Sequence, residues 1–162
     1  DSQMQAMLAQ SVSNLPLTWQ TPKGWSEEKG SGMRLVTFKG DKGGQPVTCT
    51  IVSLSGIAGG LESNIIRWMK QINLLEDQLS GDQMRDFIQQ QETFMSKGNL
   101  AVQLIDLTRL VDLKESSAQT ILGAVVHLED TTIFIKMFGT LKAVHQNREE
   151  FKALCQSLSI HE

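Results

Sequence analysis

Gly56-Ile57-Ala58-Gly59-Gly60-Leu61-Glu62-Ser63-Asn64-Ile65-Ile66-Arg67-Trp68-Met69-Lys70-Gln71 follows directly on a β-rich run at 46–54. Three glycines separate an extended segment from a helix, so the chain turns sharply from strand to helix here. Ile65, Trp68, Met69 and Ile72 fall at i, i+3, i+4 and i+7, a stripe for burial over 64–73. Arg67, Lys70 and Gln71 gather on the opposite side. A strand that hands over to an amphipathic helix predicts a sheet with helices laid on it.

The flanking sequence extends that pattern. A short strand is expected at 17–21, stopped by Pro22-Lys23-Gly24, and another at 33–39. The turn Gly40-Asp41-Lys42-Gly43-Gly44 joins the latter to 47–54 as an antiparallel hairpin. A second helix is expected over 80–95, with Ser80 as N-cap and Met84, Phe87, Ile88 and Gln91 at helical spacing. Strands follow at 100–107, 120–128 and 132–138, the last two joined tightly through Glu129-Asp130-Thr131. A closing helix over 143–158 carries Phe151, Leu154, Cys155 and Leu158 as its buried stripe. Hairpin links dominate, which points to the α+β class with a mainly antiparallel β-sheet flanked by helices.

Composition sets limits on function. With 162 residues, 40% apolar and 20% charged, the chain has the makings of one globular core, expected at 17–162. A net charge of −3 with scattered Lys and Arg argues against a nucleic-acid partner. No apolar run reaches the length of a membrane span. Residues 1–16 read as a tether or loosely held helix. Asp1 in place of Met is what a trimmed signal or lipoprotein leader leaves, or an arbitrary truncation. Cys49 shares a strand face with Val47 and Ile51, and Cys155 a helical face with Phe151 and Leu158. Both are expected to be buried, unpaired thiols rather than a disulfide or metal ligands.

Several features then coincide: Trp19, Pro22, Gly24 and Trp25 at the opening, Met33-Arg34 heading a strand, and the glycine loop with Asn64, Arg67, Trp68 and Gln71. Phe134-Ile135-Lys136-Met137-Phe138-Gly139 and a helix with Phe151 and Leu158 complete the set. This ensemble resembles uncharacterised bacterial proteins, often exported or lipid-anchored. Its element order is similar to the Mog1/PsbP-like fold, which includes DcrB-like and mycobacterial LpqN-like lipoproteins. The resemblance spans residues 17–160. It implies a Mog1/PsbP-like sandwich whose members mostly bind or scaffold other proteins, and it brings no cofactor. The residues through which photosynthetic or Ran-binding members act have no match here.

The candidate site is Gly59, Gly60, Asn64, Arg67, Gln71 and Lys136. Glycine N–H groups ahead of a helix can cradle an anion; equally, the glycines can serve only a tight crossing. Arg67 with Gln71 can grip a carboxylate, a phosphate or a partner's backbone, or Arg67 can be tied up in internal salt bridges. Lys136, between Phe134 and Phe138, either lines a pocket or snorkels from the sheet's edge. None of His127, His145 and His161 has a nucleophile or carboxylate at suggestive spacing, and His127 reads as a structural histidine. The expected function is a non-enzymatic binding or scaffold domain of the bacterial cell envelope. It would be extracytoplasmic, periplasmic or a membrane-anchored lipoprotein, tethered ahead of residue 17, with another envelope protein as partner. The rival is a small-anion binder or enzyme built on the glycine loop, Arg67 and Lys136.

Overall fold

Alternation decides the strands. Along 47–52, Val47, Cys49 and Ile51 are buried while Thr48, Thr50 and Val52 are half-buried, the period of two that a sheet packed more tightly on one face imposes. A computed structural model describes residues 16–56, 60–74, 79–111 and 114–161. Its strands are β1 (Leu17–Thr18), β2 (Ser26–Lys29), β3 (Arg34–Gly40), β4 (Val47–Ser55), β5 (Thr93–Met95), β6 (Ala101–Asp106), β7 (Gln119–His127), β8 (Thr131–Thr140) and β9 (Ser159–Ile160). The helices are α1 (Leu61–Gln71), α2 (Gly81–Gln89), α3 (Leu141–Gln146) and α4 (Arg148–Gln156). Seven strands form one antiparallel sheet in the order β2-β3-β4-β8-β7-β6-β5, and β1 pairs with β9 apart from it.

The sheet separates two apolar layers. On one face Cys49, Ile51, Leu122, Ile135 and Met137 pack with Phe151 and Leu154 of α4. On the other, Ile121, Val125 and Phe134 pack with Ile65, Trp68 and Met69 of α1 and Met84 of α2. Each such side chain, fully buried, contributes roughly 1.5–3 kcal/mol of transfer free energy. The stripe on α1 is thus core. Both cysteines are free and fully buried, as their apolar faces require. Burial pushes both thiols upward.

Four expectations need correction. The second helix stops at Gln89, and Thr93–Met95 pairs with β6 instead. Gln91 is buried not as helical core but through its amide, which donates to the Phe87 carbonyl (3.0 Å) and accepts from the Asp106 N–H (2.9 Å). The closing helix is two helices broken at Asn147, whose backbone leaves helical geometry at φ −102°, ψ 10°. Asn147 is fully buried. It donates to the carbonyls of Gln45 (3.1 Å) and Ala143 (2.9 Å) and accepts from the Trp25 indole N–H (3.3 Å). The first strand shortens to Leu17–Thr18, because beyond it the chain turns away. Finally, His127 is exposed: it ends β7, past the helices that cover Ile121 and Val125.

Candidate functional site

Trp68 fixes where α1 lies. Its ring sits over Gly123 of β7, where an added Cβ would come 2.7 Å from Cη2 and closer still to Cζ3. It also meets Phe134 edge-on, ring centroids 5.8 Å apart. Gly123 pairs across the sheet with Lys136, and Lys136 with Thr50. The face of α1 beside Trp68 therefore stands over the β4–β8 seam.

A recess of about 210 Å³ opens there, between α1 and the sheet. Asn64, Arg67 and Gln71 descend from α1, Lys136 rises from β8, and Trp68, Phe134, Val52 and Leu54 form the apolar walls with Met33 at the rim. Lys136 donates to Gln71 Oε1 at 2.8 Å and Arg67 to Asn64 Oδ1 at 3.2 Å. The Asn64 amide in turn donates to the Gly60 carbonyl at 2.6 Å. Among the described residues no lining side chain is acidic, and no carboxylate lies within ion-pair distance of Arg67 or Lys136. Burial first, and the Arg67 charge second, hold the Lys136 amine below the ordinary lysine range.

Of the residues singled out in the sequence, Asn64, Arg67, Gln71 and Lys136 meet in this recess. Gly60 does not. It caps α1 in an extended conformation, with its carbonyl turned into the helix, and borders a separate surface hollow with Leu61, Glu62, Ser63 and Arg85. Gly59 lies outside the described residues. Among the described residues the salt-bridged reading of Arg67 finds no carboxylate within reach, and the edge-snorkelling reading of Lys136 meets a strand with three neighbours on either side. Thr50, Val52 and Leu54 complete the lining without a prior signal, brought under α1 by the β4–β8 register that tertiary pairing sets. Met33 enters from the head of β3, where its carbonyl accepts from the Ser53 N–H.

No family model matches the chain, and no curated protein does. Among solved structures, it is similar to LpqN, involved in cell envelope biogenesis of Mycobacterium tuberculosis. The identity is 9% and the TM-score 0.52, over 90% of this chain and 83% of that one. It also aligns with cyanobacterial PsbP (CyanoP) from Synechocystis, at 11% identity and a TM-score of 0.46, over 91% of this chain and 94% of that one. The α+β, Mog1/PsbP-like architecture implied by the sequence resemblance is the fold this chain adopts.

Proposed function

We propose that this chain is a non-enzymatic binding domain of the bacterial cell envelope, exported or lipid-anchored through the segment ahead of Leu17. Its partner is another envelope protein, and its working surface is the recess under α1. One observation carries the reading: Arg67 and Lys136 hold two positive charges at an apolar recess to which the described residues supply no carboxylate. Like charges so placed cost folding energy, and a ligand that brings the missing negative charge recovers it. The envelope assignment is supported by the fold shared with LpqN, whose setting is cell envelope biogenesis. Among the described residues no helix is long and apolar enough to cross a membrane.

The test is site-specific cross-linking. A photoreactive residue at Met33, which is 55% exposed at the rim, is placed in the protein within its native envelope. A discrete cross-linked adduct that disappears in Arg67→Ala supports the reading. An adduct unaffected by Arg67→Ala, or none, removes this recess as the working surface. The rival reading, a binder of small free anions, draws on the same convergence of Arg67 and Lys136 and requires binding of acetate or phosphate with no macromolecule present.

A further inference from the structure

The recess has two properties that specify what enters it. The first is a surplus of donors. Asn64 Oδ1 and Gln71 Oε1, its side-chain amide acceptors, already receive hydrogen bonds from Arg67 and Lys136. What remains is the Thr50 hydroxyl, which can donate or accept, against the rest of the guanidinium, the rest of the ammonium and the Gln71 amide N–H₂, all donors. Such a site favours an acceptor-rich anion over a donor. The second is size. At about 210 Å³ it falls below the roughly 300–1,000 Å³ of a self-contained small-molecule site, so it holds one side chain rather than a whole ligand.

Beyond the recess the same sheet face continues. Val52–Phe134, Thr50–Lys136 and Thr48–Phe138 are successive cross-strand pairs on it. Thr50, Lys136, Thr48 and Phe138 stay half-exposed on it, with the ring of Phe138 touching the cluster under the helices. The strip opens at Phe138 and Thr48 into a hollow of about 610 Å³ that includes Lys39. Lys39 donates to Thr48 Oγ1 at 3.0 Å, which sets a third cation at the far end, after Arg67 and Lys136. Asp41 lies next to it at the end of β3. From Phe134 to Phe138 the strip runs roughly 13 Å at strand rise, the length of a four- or five-residue extended segment.

Resting on the binding role proposed above, we infer that the occupant is an extended segment of a partner protein. It lies along the β4–β8 strip and inserts a glutamate or aspartate side chain between Arg67 and Lys136. Alternate side chains of an extended segment point to one side, so residues two before and two after the acid meet the apolar walls at Trp68 and Phe134 and the ring of Phe138. An anionic membrane surface is the weaker occupant. The net charge of −3 opposes it, and the two cations lie in a recess rather than spread over a face.

Two seven-residue peptides of alternating threonine and valine, identical except for a central glutamate or glutamine, are titrated into the 15N-labelled protein, where amide shifts detect even millimolar binding. The expected result is shifts at Thr50, Gln71 and 134–138, at least tenfold tighter binding of the glutamate peptide, and loss of that preference in Arg67→Ala and in Lys136→Met. Equal binding of the two peptides overturns the inference. So does acetate or phosphate binding as tightly as the peptide, or binding to phosphatidylglycerol vesicles with no response to either peptide. The Met33 cross-link separates the two levels. An Arg67-dependent adduct with no glutamate preference leaves the recess as a partner surface and removes the acidic segment, whereas an adduct indifferent to Arg67 removes the partner surface itself.

Discussion

The ring of Trp68 occupies the space where any side chain at Gly123 would begin. Helix and sheet approach each other at that point closely enough to leave no room for a methyl group. Gly123→Ala is expected to force the indole off its seat and cost about 1–3 kcal/mol, the usual range for overpacking. Trp68→Ala removes the ring outright and costs about 3–5 kcal/mol. Denaturant melts of the two variants check this; a cost below roughly 1 kcal/mol for Trp68→Ala would show that the helix is not anchored through this ring.

Arg67 is expected to be dispensable for folding. Its side chain is exposed, and its hydrogen bond is to a neighbour on the same helix. Arg67→Ala should shift stability by no more than about 0.5 kcal/mol. Thermal melts decide the matter, and a large fall would make this arginine part of the frame.

Lys136 makes the pH dependence testable. Its amine titrates below the ordinary lysine value of 10.5, chiefly because it is buried and then because Arg67 is near. Between the folded value and 10.5 the unfolded chain binds the extra proton, so this group adds stability as pH rises through that window and costs stability below it. Comparing melts at about pH 8 and about pH 10, Lys136→Met should gain less from the higher pH than the parent protein does. At neutral pH the variant should melt no lower than the parent. A clear drop would mean that the Gln71 hydrogen bond outweighs the burial of the charge. Affinity for an anion should likewise decline as pH rises through the depressed value and Lys136 loses its charge.

Asn147 and Asp106 are the polar weak points of the interior. Asn147→Ala strands the Gln45 carbonyl and the Trp25 indole N–H, while the Ala143 carbonyl keeps the Asn147 backbone N–H; each stranded buried group costs about 1–3 kcal/mol. Arg148 donates to Asp106 at 2.6 Å, and the same carboxylate accepts from the Thr108 backbone and hydroxyl. Arg148→Leu leaves that carboxylate without its counter-charge. The melt should fall markedly, toward the 3–5 kcal/mol of a broken buried pair, reduced by the partial exposure of Arg148.

Both thiols should resist modification. Cys49 and Cys155 are fully enclosed and their thiolates strongly disfavoured. A thiol reagent should label neither in the native protein and both in denaturant without reductant. Labelling of the native protein would require that the α4 face opens on its own.

Periodicity made the central elements legible in the sequence. β4 and the second half of β8 alternate, β7 is a continuous apolar run bounded by polar ends, and α1 carries an apolar stripe of helical spacing, so the sheet and its helix were readable to within a few residues. Where no apolar residue marks an element, nothing could be read: β2 is Ser-Glu-Glu-Lys, entirely exposed, and exists only because β3 offers it a free edge. Thr93–Met95 continues a helical pattern in sequence yet is captured by β6. At the site, the polar side of α1 and a lysine between two phenylalanines were visible as separate oddities. That Lys136 faces Gln71, and that Gly60 turns elsewhere, depends on how strands four and eight pair, which no local spacing encodes.

The small sheet of Leu17–Thr18 and Ser159–Ile160 sets residue 16 beside residue 161, joined by a hydrogen bond of 2.7 Å from the His161 N–H to the Pro16 carbonyl. Force applied between these two points loads an antiparallel pair from its open end, one hydrogen bond at a time, and the seven-stranded sheet is spared until that clasp has parted. The same adjacency makes the domain a good subject for circular permutation. A few residues of linker from 161 back to 16, with new ends cut at the exposed Ser31-Gly32 turn between β2 and β3, would leave every pairing of the large sheet in place.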